Sequence, residues 1–238
     1  MERKEGRLTI CGAGIDFDRD LTLGAAEALR RCDVLVYIHK DKTRLSGILS
    51  RYLRPGARTV FRGGDSWRLV SAELRKGRSV VYLTYGHPSL FSEGRQLEQA
   101  CRAAGYPVRV LPGVSAAGSL LAELPALGVR DDGLGFCVTS AERFASGRVS
   151  PRGLPLLIFS IENELKDGGR AFFRALLSAY PARHRGWLLR CADVMGPVLA
   201  KPVSMAGLKA DPGQAGHRMT LLVPPAPERR VRGASKKK

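Results

Sequence analysis

Three short glycine-bearing stretches hold the residue types that could carry chemistry. Gly12-Ala13-Gly14 follows an apolar run at 7–12. Tyr85-Gly86-His87-Pro88-Ser89-Leu90-Phe91 follows another at 79–84, and Leu111-Pro112-Gly113-Val114-Ser115-Ala116-Ala117 closes a third at 107–111. Glycine lets a backbone turn sharply or come close to a ligand. A dinucleotide site would need a third glycine three residues on, opening a helix, and an acid about 20 residues later at the end of the next strand. Phe17 stands at that glycine position, and Asp33 begins its strand instead of ending it. The nicotinamide reading therefore fails. His87 reads as a solvated or capping turn residue or as a ligand contact. Ser115 reads as a helix N-cap, and its junction also offers backbone N–H groups to a ligand. Together the three loops describe a rim where backbone can approach something flat or charged.

The elements that position these loops follow from periodicity. Residues 7–12, 33–38, 58–61, 79–84 and 107–111 read as strands. Between and after them, 22–32, 43–53, 66–76, 93–104 and 115–124 read as helices. Trp67, Val70 and Leu74 share the inward face of 66–76, with Gly77 closing it. Strands that are nearly all apolar imply a parallel sheet covered on both faces. Each glycine loop then lies at the carboxyl end of a parallel strand, where ligands of open α/β sheets bind. The pattern changes at 125–133. Strands are expected at 134–139, 155–160, 187–191 and 219–223, with one long helix near 163–180. The expected fold class is α/β with two lobes: a parallel α/β lobe over 1–125, a mixed α/β lobe over 126–226, and a basic disordered tail over 227–238.

Composition bounds the rest. The chain has 238 residues, 44% of them hydrophobic and 26% charged, which is globular and not fibrous or wholly disordered. No apolar run is long enough to span a membrane, and the short basic start is not read as a signal peptide. The five cysteines and four histidines are scattered. They fit reduced, buried thiols, a cytoplasmic location and no structural metal. The formal charge is +17. A net +5 of it lies in the tail 228–238; the remainder is spread widely and permits an acidic partner without choosing between nucleic acid, peptide and polycarboxylate.

In order and spacing, LTICGAG, DLTLGAAEALRRCDVLVY, YGHPSLF and LPGVSA resemble the tetrapyrrole methylase superfamily, over about residues 7–225. Many of its members carry Gly-Asp-Pro in the middle loop. Gly86-His87-Pro88, with Tyr85 before and Phe91 after, is similar to the borosin peptide N-methyltransferases. Gly135, Ala141 and Phe144 in GFCVTSAERF and the stretch TLLVPP at 220–225 fit that subgroup. The resemblance implies a two-lobed methyltransferase using S-adenosylmethionine, usually a homodimer, with the ligand cleft between lobes. It implies cofactor contacts from Gly12, Gly14, Tyr85, His87, Leu90, Phe91, Ser115, Ala116, Ala141, Thr220 and Leu221. Borosins place a tyrosine and an arginine on the segment before the YGHP strand. Here Arg62 and Trp67 occupy it, and Tyr82 and Tyr52 are the nearby phenols, so Arg62 and Tyr82 are the catalytic candidates.

The activity implied is N-methylation of backbone amides in a separate ribosomal precursor peptide. Only a short charged tail follows Pro225, with no apolar core peptide, and a basic enzyme suits an acidic leader. Amide nitrogen must lose its proton while charge on the carbonyl oxygen is stabilised, and Arg62 is a candidate donor to that oxygen. The rival within the fold is methylation of a tetrapyrrole or another small molecule, whose carboxylates would also suit a basic protein. A further rival is a non-catalytic RNA-binding or regulatory relative, though no stacking aromatic array or RNA-binding motif favours it.

Overall fold

A computed structural model describes residues 5–37, 47, 51–61, 64–125, 135–149, 153–191, 197–216 and 218–225. Arg62, most of the expected helix 43–53 and the basic tail lie outside the described residues. The chain divides into two compact units. The first comprises Met1–Ala122 with Cys191–Pro197, and the second Glu123–Arg190 with Val198–Lys238. Cys191 ties the returning segment to the first unit: its thiol reaches the Ala116 carbonyl at 3.5 Å.

The first unit is built on β1 (Arg7–Gly12), β2 (Val34–Tyr37), β3 (Arg58–Phe61), β4 (Ser79–Thr84) and β5 (Val108–Leu111). Every pairing is parallel, in the order β3-β2-β4-β1-β5. The helices are α1 (Leu23–Arg31), α2 (Ser66–Leu74), α3 (Gly94–Ala103) and α4 (Ala116–Glu123). Alternate strand residues feed two cores. Cys11, Leu35, Val81 and Leu83 pack with Leu29 of α1. Leu8, Ile10, Val80 and Tyr82 pack with Val70 and Leu74 of α2 and Leu97 of α3. Strands buried on both faces must be apolar throughout, which is why they were legible as runs. Thr22 caps α1 by accepting from the Ala25 N–H, and Asp65 caps α2 by accepting from the Trp67 N–H. Trp67 packs against the second core, and Gly77 takes φ +72° after α2.

The second unit carries β6 (Cys137–Ser140), β7 (Leu156–Phe159), β8 (Arg185–Arg190), β9 (Leu199–Ser204) and β10 (Thr220–Val223) in the order β6-β7-β10-β8-β9. Only β6 and β7 run parallel; the other pairings are antiparallel. Its core joins Ile158, Leu188 and Leu221 to Phe144 of α5 (Ala141–Ala145), Phe172 and Leu176 of α7 (Arg170–Ala179) and Leu208 of α8 (Met205–Ala210). The expected long helix at 163–180 is instead α6 (Ile161–Leu165) and α7, separated at Gly168 and Gly169, whose φ values are +77° and +64°. A helix cannot run through two left-handed residues. β9 was not expected: it is a largely exposed edge strand carrying Pro202, so it lacks the apolar alternation that marks a strand. α5 and α8 are too short to show a period; Ser140 and Ser204 cap them.

Candidate functional site

The three glycine loops meet at the carboxyl edge of neighbouring strands β4, β1 and β5, and they meet backbone to backbone. A Cβ on Gly113 would lie 2.5 Å from the Gly86 oxygen and 2.7 Å from the Gly12 Cα. A Cβ on Gly12 would fall on the same Gly86 oxygen and 2.9 Å from the Gly113 Cα. No side chain fits at either position. The Gly86 N–H donates to the Gly14 oxygen at 2.9 Å, and the Ala13 N–H donates to the Thr84 oxygen at 2.8 Å. The rim is thus one locked unit of main chain, whose remaining peptide groups can face a ligand.

Each loop is also braced by side chains. Asp20 accepts from the Ile15 N–H at 2.9 Å and the Asp16 N–H at 2.8 Å, folding the segment after Gly14 around one carboxylate. Sequence reasoning missed Asp20; an acid a few residues beyond a glycine turn was the only signal available. Phe17 is buried and meets the Tyr85 ring edge-on, with centroids 6.0 Å apart. The Nδ1 of His87 accepts from the Ser89 N–H at 3.1 Å, so the neutral ring carries its proton on Nε2. His87 therefore caps its own turn, as an acceptor. The Pro88 oxygen accepts from the Ser92 hydroxyl at 2.6 Å. Leu90 is half-buried, and Phe91 is exposed with φ +51°, a conformation costly for an aromatic residue. Ser115 is the N-cap of α4: its Oγ accepts from the Gly118 N–H at 3.0 Å. The N–H groups of Ala116 and Ala117, in the first turn, fall outside the helix's own ladder.

The other expected site residues lie on other elements. Tyr82 is a core residue: it is fully buried in β4, and its hydroxyl shares a 3.0 Å hydrogen bond with Ser66. Its phenol points to the first turn of α2, where Ser66 lies. Ala141 opens α5 and Leu221 lies in β10, both wholly buried in the core of the second unit. Thr220 is buried beside Leu221 on the opposite face of that sheet. Asp33 lies at the far, amino edge of the first sheet, where it binds Arg54 at 2.8 Å and the Ser79 N–H at 2.8 Å. It holds strands together and is not placed for a ribose. Burial, with the neighbouring Cys32 charge, pushes the Cys11 thiol up to about 12, and burial takes Cys32 and Cys101 up to about 11. These thiols stay protonated and are not nucleophiles.

A two-sided parallel sheet with a glycine-locked rim places main chain at the carboxyl edge, where ligands of open α/β sheets bind. The profile of the tetrapyrrole (corrin/porphyrin) methylases matches residues 7–163, and the chain belongs to that family. Methylases of this family take their methyl group from S-adenosylmethionine. A methyltransferase/ribosomally synthesized type I borosin cyclic peptide precursor from Serendipita vermifera subsp. bescii is 34% identical over 132 residues, 51% of this chain and 32% of that protein. Siroheme synthase 1 of Serratia proteamaculans is 31% identical over 123 residues, 49% of this chain and 26% of that protein. The matched stretches thus span about a third or less of these relatives. The crystal structure of a uroporphyrin-III C-methyltransferase from Thermus thermophilus superposes with a TM-score of 0.68 at 24% identity, covering 92% of each chain, and shares the fold. No helix among the described residues is long and apolar enough to cross a membrane.

Proposed function

We propose that this chain is an S-adenosylmethionine-dependent methyltransferase that N-methylates backbone amides of a separate precursor peptide. The observation that carries this reading is the Tyr85–Phe91 turn, with its Gly86-His87-Pro88 centre packed on Gly12 and Gly113. It occurs in a chain 34% identical to a borosin methyltransferase over the matched stretch. When bound, the cofactor supplies a methyl group on a sulfonium, open to in-line displacement. Gly12 and Gly14 form the floor of its site. Tyr85, His87, Leu90 and Phe91 line one side, and the first-turn N–H groups of α4 behind Ser115 and Ala116 receive its carboxylate. The Asp20 carboxylate is engaged with two backbone N–H groups and offers no competing nucleophile. With the cofactor bound, the rigid rim would hold the methyl donor in one place, and such positioning is the larger part of the work in a transfer of this kind. Arg62 is the proposed donor to the peptide carbonyl oxygen.

Identity to siroheme synthases at 31% favours a second reading, methylation of a tetrapyrrole. Calorimetry with S-adenosylmethionine and, separately, NADH tests the cofactor. Micromolar binding of the first without the second is expected. Mass spectrometry then separates substrates. A methyl added to a peptide amide supports the first reading, and a methylated pyrrole with an unmodified peptide replaces it.

A further inference from the structure

Toward its amino end, the face of the first sheet that α1 covers turns polar where a two-sided parallel sheet should be apolar. Cys11 and Leu83 mark the buried end of this face. Toward the amino ends of the same strands, and on the neighbouring β5, the face continues as Arg7, Thr9, Ser79 and Arg109. These residues, with Glu27 and Arg31 of α1, line an open cleft of about 400 Å³. Its charges do not cancel. Glu27 is the only acid lining it and pairs with Arg31 at 2.7 Å. Arg7 donates to the Ser79 hydroxyl, a neutral partner, at 3.3 Å. Arg109 has no acidic partner among the described residues. The cleft therefore presents two uncompensated guanidinium groups beside two hydroxyls.

We propose that this cleft docks an acidic segment of the peptide substrate, with Asp or Glu carboxylates on Arg7 and Arg109; the proposal rests on the peptide reading above. Thr9 pairs with Arg109, so Arg7 is two residues away along β1. Strand spacing and rise put the two arginine Cα atoms roughly 8 Å apart. Acids two residues apart on an extended peptide are separated by roughly 7 Å. Planar guanidinium forks match carboxylates bidentately, which favours this spacing over a single point anion. The cleft lies at the amino edge of the strands and the glycine rim at the carboxyl edge. Docking and methyl transfer are thus separated by about one strand length, roughly 20 Å. An extended linker of about six residues spans that distance.

The test is fluorescence anisotropy with a fluorescein-labelled peptide of alternating Glu and Ser. It compares the full chain, an Arg7→Ala/Arg109→Ala variant, and an Arg170→Ala/Lys209→Ala variant that removes the same charge from exposed positions of the second unit. The cleft variant is expected to lose about tenfold or more in affinity, with the control within about twofold. S-adenosylmethionine binding should be equal in all three. Arg109→Glu, checked by thermal melting, repeats the test if the double variant does not fold. Equal losses in both double variants, or none in the cleft variant, overturn the proposal. So does stronger competition by a uridine decanucleotide or pyrophosphate than by the unlabelled peptide. A full chain that binds the peptide but not S-adenosylmethionine keeps the docking site and removes the methyltransferase reading. One that binds S-adenosylmethionine but not the peptide removes the docking site alone.

Discussion

The two edges of the first sheet are made of different materials. At the carboxyl edge, Gly12, Gly86 and Gly113 touch through main chain, and added side chains have no room. At the amino edge, the strands are bound by charged side chains. Glu73 is only 3% exposed and pairs with Arg58 and Arg78 at 2.6 Å and Lys76 at 3.0 Å. Asp33 joins Arg54 to the start of β4. Main-chain contacts are short and cannot adjust, so the carboxyl edge fixes geometry. Ion pairs with half-exposed partners can rearrange in water, so the Glu73 and Asp33 pairs contribute stability without fixing geometry as the glycine rim does.

Gly12→Ala should break this contrast most severely. Its methyl group falls on the Gly86 carbonyl, and overpacking against backbone costs about 3 kcal/mol or more. Differential scanning calorimetry should show the loss, and any folded fraction should no longer bind S-adenosylmethionine. Asp20→Ala should cost about 2 kcal/mol, because two backbone N–H groups lose their acceptor. Cofactor affinity should fall with it, whereas Asp20→Asn should recover part of both in urea melts and calorimetry.

Glu73→Gln should cost about 1–2 kcal/mol and leave cofactor affinity unchanged, since its cations can return to water. Burial opposes ionisation of Glu73. The Lys76 hydrogen bond and the Arg58, Lys76 and Arg78 charges overcome it and hold the carboxyl below the ordinary range. A lowered carboxyl stabilises the fold in its ionised form. The contribution is whole above pH 4.5, the ordinary glutamate value, and fades as pH falls below it. The variant should therefore show a shallower loss of stability on acidification than the parent, read by urea denaturation at successive pH values. Ser115→Ala should have the smallest effect, about 1 kcal/mol from the lost cap, with a modest weakening of cofactor binding if the α4 N–H groups serve as proposed.

Legibility in the sequence also differed between the two edges. The parallel strands and their glycine loops could be read locally, because burial on both faces writes an apolar run and each turn needs its glycine in place. The amino edge could not. Arg7, Arg58 and Arg109 are scattered along the chain and become neighbours of one edge only through the strand order. In the second unit, β9 and the break at Gly168-Gly169 escaped because an exposed edge strand has no period and two glycines inside a helical stretch look tolerable one at a time. Asp20 escaped because nothing distinguishes it from Asp16 and Asp18 until the loop closes on it. His87 left two readings open, and its Nδ1, which accepts from the Ser89 N–H, serves the turn while leaving the rest of the ring for a ligand.

The return of Cys191–Pro197 to the first unit sets a timetable for synthesis. That unit cannot be completed on the ribosome when Ala122 emerges; it must wait for all 68 residues from Glu123 to Arg190. At about 5–20 residues per second the wait is roughly 3–14 s, long compared with the folding of a small domain. Through that interval the glycine rim can form, while the Ala116 carbonyl still lacks its Cys191 thiol. The nascent chain passes through a stage in which the first unit is present but not yet closed.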